Sequence, residues 1–495
     1  MTVDTGENSE RVAVHPADEP AIARQVIESF EIVLTAMILA FVFRAFFVEA
    51  FIIPTGSMAP SLVGVHGSQL CPFCGWQYDY GPIGATGPLP DATRCPNCRL
   101  RYPTRPQEQK AGDRILVHKW LYDLPGMAPR RWDVIVFRDP TDPQQNFIKR
   151  LVGLPGEQIE IIDGDVFVRR PGEADVSICR KTATAQSALW FPVFDQGYLS
   201  SEPNDRTESP WKCDAEEPKW TGMTTRQVRF SGDSGAPGEL TFEPRDLAQL
   251  RDNYGYNDGN TGAAPGDMRI VADVEFQDGV GWLGLELTRE EDVFVARVHR
   301  DGRVVVARST NGGPESVIGQ ADCGRLSRFR VEFAHVDWRV SLSINERERV
   351  ATTDAQYAPK LEWLRDHIRL APIRPTLIAC DLELTLHRLR IDRDVHYTRD
   401  SPGRTRRATP GAPFALGKDD FFVLGDNSPR SSDAREWTEV GPHLINDLRA
   451  GRYTLGTVRR DQIVGRAFFV YLPGLLPADR GLPPMLDVGR ARVIR

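Results

Sequence analysis

The chain has 495 residues, too many for one ordinary core, so two or three domains are expected. With 41% apolar and 26% charged residues it has the composition of a folded protein. A net charge of -7 leaves no basic excess to neutralise phosphates, which excludes a general nucleic-acid binder; Arg404, Arg406 and Arg407 read as solvated loop charges.

In chain order, residues 1–26 are polar, carry only Arg11 and Arg24 among several acids, and read as disordered. Ile32–Phe43 is uncharged, and 27–48 is long enough to span a bilayer with Glu28, Glu31 and Arg44 snorkelling near its ends. The alternative is a soluble buried or interfacial helix. A cleaved signal peptide is disfavoured, because no basic stretch opens the chain. Residues 49–170 then read as antiparallel β structure, with runs at 114–119, 133–137, 147–152 and 159–162 and a hairpin turn at Asp163-Gly164-Asp165. Within it, 68–104 holds four regularly spaced cysteines. An insertion follows: 171–235 is read as irregular, and 236–395 as a β-sandwich of short alternating runs separated by turns such as Asp301-Gly302. The first β pattern resumes over 396–475, and 476–495 is a tail. The expected fold class is mainly β, with an N-terminal transmembrane helix.

Three short motifs carry chemistry. In Pro54-Thr55-Gly56-Ser57-Met58, Gly56 allows close backbone approach, and Thr55 offers a hydroxyl able to join the Ser57 amide in an oxyanion hole. Alone, Ser57 would be a turn serine. Lys149, in the run Phe147–Val152, lies on a face with Phe147 and Leu151; if that face is buried, desolvation lowers its pKa toward that of a general base. Alone, Lys149 and Arg150 would be strand surface charges. No histidine lies in either motif, so the amine is the natural activator of the hydroxyl. Third, Gly425-Asp426-Asn427 forms a tight turn, the serines after it can bond a buried amine, and Asp433 can pair with Arg435. Alone, it would be a polar loop.

Cys71, Cys74, Cys95 and Cys98 form two CxxC knuckles about 20 residues apart, a spacing that suits a tetrahedral structural zinc. A rubredoxin-like iron or two disulfides are the alternatives. The sequence leaves Cys179, Cys213, Cys323 and Cys380 open between buried thiols and disulfides. Trp282 and Trp338 read as packing residues rather than ligand platforms, and Glu286 and Glu332 as solvent-face residues.

The motifs at 54–62, 112–119, 146–157 and 425–435, in this order after an apolar run, resemble the signal peptidase I family over roughly 27–170 and 396–475. That resemblance implies a membrane-anchored serine endopeptidase that removes signal peptides from preproteins, with no catalytic cofactor. It implies Ser57 as nucleophile, Lys149 as general base, Thr55 as oxyanion donor, Ser431 as the residue orienting the lysine, and Asp433 and Arg435 as its support. It also implies a single-pass protein of the bacterial cytoplasmic membrane, with the catalytic domain on the outer side and the lipid bilayer as partner. An oxidising exterior adds weight to disulfides in the ribbon. Ala434 and Glu157 depart from the family pattern, where serine and aspartate are usual. The sandwich loosely resembles concanavalin-like jelly rolls, which would make a carbohydrate or protein ligand its partner. The rival functions are a Ser/Lys autoprotease and a binding module on an inactive peptidase scaffold.

Overall fold

The computed structural model describes residues 19–46, 48–84, 87–104, 109–199, 209–213, 219–233, 235–244, 250, 255–257, 265–367, 373–397, 406–472 and 490–495. The chain is mainly β. Its helix Glu19–Phe46 starts earlier than the expected span at 27–48, and it exposes Val26, Ile27, Phe30 and Phe41. Side chains near its end fall outside the described residues, and among those described no helix is long and apolar enough to cross a membrane. Most of the polar 1–26 segment also lies outside them.

Two antiparallel sheets build the part of the chain that holds the three motifs. The larger runs in the order Val48–Ile52, Arg114–His118, Ile463–Leu472, Val134–Arg138, Asn146–Gly153, Asp420–Leu424 and Val458–Arg459. Strand Arg492–Val493 adds beside Ile463–Leu472, and Ile494 is buried, so the end of the expected tail belongs to this sheet. The smaller sheet orders Ser177–Ile178, Asp165–Arg169, Gln158–Ile162 and Phe414–Ala415. Strand Asn146–Gly153 lies between two neighbours, so from Ile148 onward both of its faces are buried.

The insertion has two long strands as its spine, Met268–Arg289 and Arg374–Arg393, paired antiparallel along their length. Their register shifts between Phe276 and Trp282, where Gly279 adopts φ +96°. Beyond this bend the strand changes partners, from Arg328–Val336 to Asp292–His299. Ile270, Val274, Leu283 and Leu287, from either side of the bend, share one core. The stretch 171–235 differs from its irregular expectation. Strands Phe191–Asp195, Trp211–Lys212, Trp220–Thr221 and Val228–Gly232 all join the insertion sheet, and Trp211 and Trp220 are buried. Strands of two to five residues are too short to show an alternation in sequence.

The insertion leaves and returns side by side, with Phe191 opposite Arg393 and Asp195 opposite Arg390. At this neck buried Lys181 pairs with Asp337 and, at 2.6 Å, with Asp394, while Asp165 and Asp267 lie close by.

Candidate active site

Ser57 sits on a single 3-10 turn, Gly56–Met58, that follows strand Val48–Ile52. The turn is anchored from several directions. The Asp113 carboxylate accepts from the Val63 amide at 3.0 Å and from Arg492 at 3.0 Å, and Arg492 also donates to the Ser61 carbonyl at 2.7 Å. The Ser57 carbonyl accepts from the Asn427 amide at 3.0 Å, and the Gly56 carbonyl from Asn427 Nδ2 at 2.7 Å. Thr55 is exposed at the start of the turn.

Lys149 Nζ lies 2.8 Å from Ser57 Oγ, and only 4% of Lys149 is exposed. The strand carries the amine inward, between Ile135 on the neighbouring strand and the Ser57 turn, with the Phe147 ring 5.4 Å away. Burial pushes the amine pKa down to about 8, against the opposing pull of Asp433 and Asp426.

The loop after Asp420–Leu424 holds this pair. Arg435 donates to both Asp433 oxygens at 2.8 Å and to Ser428 Oγ at 2.8 Å, and the Gly425 amide donates to Asp433 at 3.0 Å. Burial raises the Asp433 pKa, but Arg435 outweighs it and holds the carboxyl below the usual range. The serines do not bond the amine, contrary to expectation: Ser428 faces Arg435, and buried Ser431 has no aligned hydrogen bond, only a lean toward Asp433. Ser431 instead fills the space a side chain at Gly425 would need, since a Cβ there would lie 2.2 Å from Ser431 Oγ and 2.4 Å from the Ser57 carbonyl. Ala434 is fully buried, and Glu157 accepts from the Leu154 amide at 2.8 Å and pairs with Arg131.

Sequence reasoning missed three residues. Arg150 is buried and grips Asp426 with two hydrogen bonds of 2.8 and 2.7 Å. Tyr256 and Asn257, from the insertion, reach the Ser57 turn. Nothing in the sequence marked any of the three as part of the site.

The four ribbon cysteines are buried and converge. Cys71 and Cys98 sulfurs are 3.6 Å apart, as are those of Cys74 and Cys95. A disulfide needs about 2.05 Å, whereas sulfurs about 2.3 Å from a tetrahedral zinc lie roughly 3.8 Å from one another. The donor set therefore fits zinc, and no disulfide joins any of the eight cysteines. The ribbon, two hairpins at 67–80 and 92–103, is tied to the insertion by paired hydrogen bonds between Asn97 and the Asp195 backbone at 2.7 and 3.2 Å. Trp338 is buried in the insertion core, half-buried Trp282 lies against Arg297, Glu332 pairs with Arg269, and Glu286 is half-buried.

Residues 104–192 and 348–472 match the family described as signal peptidase, peptidase S26. Curated relatives include a signal peptidase I of Rickettsia bellii, 23% identical over 182 residues, which are 36% of this chain and 50% of that protein. A signal peptidase I of Rickettsia akari is 48% identical over 87 residues (17% and 29%), and one of Pseudomonas aeruginosa 29% over 133 (25% and 30%). The chain thus spans about half the length, or less, of these relatives. Among solved structures, the Bacillus subtilis carbohydrate-binding module CBM66 is 13% identical with TM-score 0.24, covering 36% of this chain and 92% of that one. A Rhodothermus marinus laminarinase is 9% identical with TM-score 0.30, covering 42% and 98%. Two segments of the chain are thus similar to the bacterial signal peptidases I of the S26 family.

Proposed function

We propose that this protein is a membrane-anchored endopeptidase that cuts signal peptides from exported preproteins with a Ser/Lys dyad. The observation that carries the reading is the 2.8 Å contact between the Lys149 amine and the Ser57 hydroxyl in a buried site. A pKa near 8 leaves a useful fraction of the amine neutral at physiological pH. Neutral Lys149 takes the Ser57 proton as Oγ attacks the scissile carbonyl. The Ser57 amide and the Thr55 hydroxyl receive the developing oxyanion. The protonated lysine then gives its proton to the leaving amine, an acyl-enzyme remains, and Lys149 activates the water that hydrolyses it. Asp433 and Arg435 hold the loop that caps the amine.

The apolar stretch 27–48 would serve as the anchor, with the catalytic part on the outer face of the cytoplasmic membrane. Cys71, Cys74, Cys95 and Cys98 would hold one structural zinc, whose closed all-thiolate set leaves no position for substrate. The test is cleavage of a preprotein, or of a peptide bearing Ala-X-Ala before the cut. The wild type is expected to cleave, and Ser57→Ala and Lys149→Ala to lose at least about 10³-fold in kcat/KM. Retained cleavage in both variants would defeat the reading.

A further inference from the structure

One segment of the insertion reaches the Ser57 turn. Gly255–Asn257 seats against the Ser57 turn. Asn257 is fully buried, and its amide makes a reciprocal pair with the Asn427 amide: Asn257 Nδ2 donates to Asn427 Oδ1 at 2.7 Å, and Asn427 Nδ2 to Asn257 Oδ1 at 3.2 Å. The Gly56 carbonyl, which can only accept, selects the orientation of the Asn427 amide, and the reciprocal pair matches Asn257 to it. In that orientation one Asn427 N–H points at the Gly56 carbonyl, while the Asn427 backbone amide holds the Ser57 carbonyl. Beside it the Tyr256 ring lies against Gly56: a Cβ at Gly56 would come 2.0 Å from that ring. The Tyr256 hydroxyl donates to the Val65 carbonyl, and the ring packs with Ala59 and Val63 on the segment after the nucleophile. Gly81 and Tyr78 of the ribbon close the other side. A buried amide is costly unless bonded, so its placement opposite Asn427 fixes the turn rather than filling space.

We infer that Asn257 and Tyr256 are positioning residues for the Ser57 nucleophile, so that the insertion is a structural part of the catalytic centre. This rests on the peptidase reading above. Asn257 sets Asn427, Asn427 sets the carbonyls of Gly56 and Ser57, and these set the hydroxyl against Lys149. Removing the clamp lets the turn drift and admits water to the amine, and a displacement of about 1 Å costs roughly 10²-fold in rate.

The experiment uses the full chain, with Ser57→Ala as the inactive control. Asn257→Ala is expected to lower kcat by about 10- to 100-fold with KM within about twofold. The Asn257→Ala/Asn427→Ala double variant should be no worse than Asn427→Ala alone, because both act through one contact. In the same proteins, the protonation midpoint of Lys149, read by lysine-selective carbon NMR, should move from near 8 toward the value of a free lysine when Asn257 is removed. A wild-type kcat in Asn257→Ala, with the Ser57→Ala control dead, overturns the inference and leaves the peptidase reading intact. If the wild type itself fails to cleave, the peptidase reading falls; the Lys149 midpoint then decides, an upward shift supporting the clamp and an unchanged midpoint overturning it.

Discussion

At the scale of single residues, burial of one amine governs both rate and stability. With its pKa pushed down to about 8, Lys149 is protonated at low pH, so the rate should rise with pH and level off above about 8; a pH profile of kcat/KM measures the midpoint. The stability effect has its own sign. Between about 8 and the model-peptide value of 10.5, the unfolded chain holds a proton that the folded one has released, so stability rises with pH across that window. Below it the full cost of burying the charge is present. Lys149→Met should therefore abolish cleavage yet raise Tm at pH 7, and flatten the rise in Tm between pH 8 and 10; a lowered Tm at pH 7 would contradict this. Gly56 gives a second residue-scale prediction. Gly56→Ala drives a methyl into the Tyr256 ring and should lose at least about 10²-fold in kcat, and Tyr256→Ala should partly restore activity to that variant. No recovery in the double variant would show that the ring is not the obstacle.

The site was unevenly legible at this scale. Ser57, Lys149, Asp433 and Arg435 stand in short motifs, where a few adjacent residues carry the chemistry. Arg150 and Asp426 stand 276 positions apart, and no local pattern announces a bidentate pair across such a distance. Asn257 sits among Asn253, Gly255, Asp258 and Gly259, a composition that reads as an ordinary loop. Ser431 stands in the same motif as Asp433 and Arg435, but the packing of its hydroxyl above Gly425 is not written there.

At the scale of elements, the ribbon's strands are three or four residues long, and its four thiols share one small core with Tyr78, Tyr80 and the packed rings of Phe73 and Tyr102. Purified protein should contain about one zinc per chain, and Cys71→Ser or Cys95→Ser should lose it, with Tm falling by about 5 °C or more. Metal analysis and calorimetry check both, and a chain without metal whose thiols are oxidised would refute zinc. The 3.6 Å sulfur distances fit a tetrahedral metal site, a geometry that spacing in the sequence does not express. The elements of 171–235 were illegible for the opposite reason. Phe191–Asp195 and Val228–Gly232 are ordered by docking against Arg374–Arg393, a strand that is 20 residues long and distant in sequence, and Trp220–Thr221 pairs with the second of them. The long alternating runs beyond 265 were read readily, since each shows the period of a half-buried strand over many residues.

At the scale of the whole molecule, the neck of the insertion is an ionic joint. Burial disfavours charge on Lys181, but Asp337 and Asp394 outweigh it and hold the amine well above its ordinary value. Burial raises Asp394 to about 7, and burial with the nearby Asp267 and Asp337 raises Asp165 as well. Groups with raised carboxyl pKa values add stability at pH below about 4 that is lost as pH climbs through about 7. Lys181→Met leaves these carboxylates without their central cation and should cost about 3–5 kcal/mol at pH 8. The loss should be smaller at pH 5, where protonation relieves the crowding. Thermal unfolding at the two pH values checks the difference, and equal losses would contradict the assignment.

The placement of the insertion between the two halves of the catalytic sheet also has a consequence in time. During synthesis Ser57 and Lys149 emerge early, while Asn427, Asp433 and Arg435 follow only after the long detour through residues 171–395. A ribosome-bound or prematurely halted chain holds the hydroxyl and the amine without the loop that caps them. Such a nascent chain lacks the capping loop until about the last seventh of its translation, so the detour delays assembly of the site.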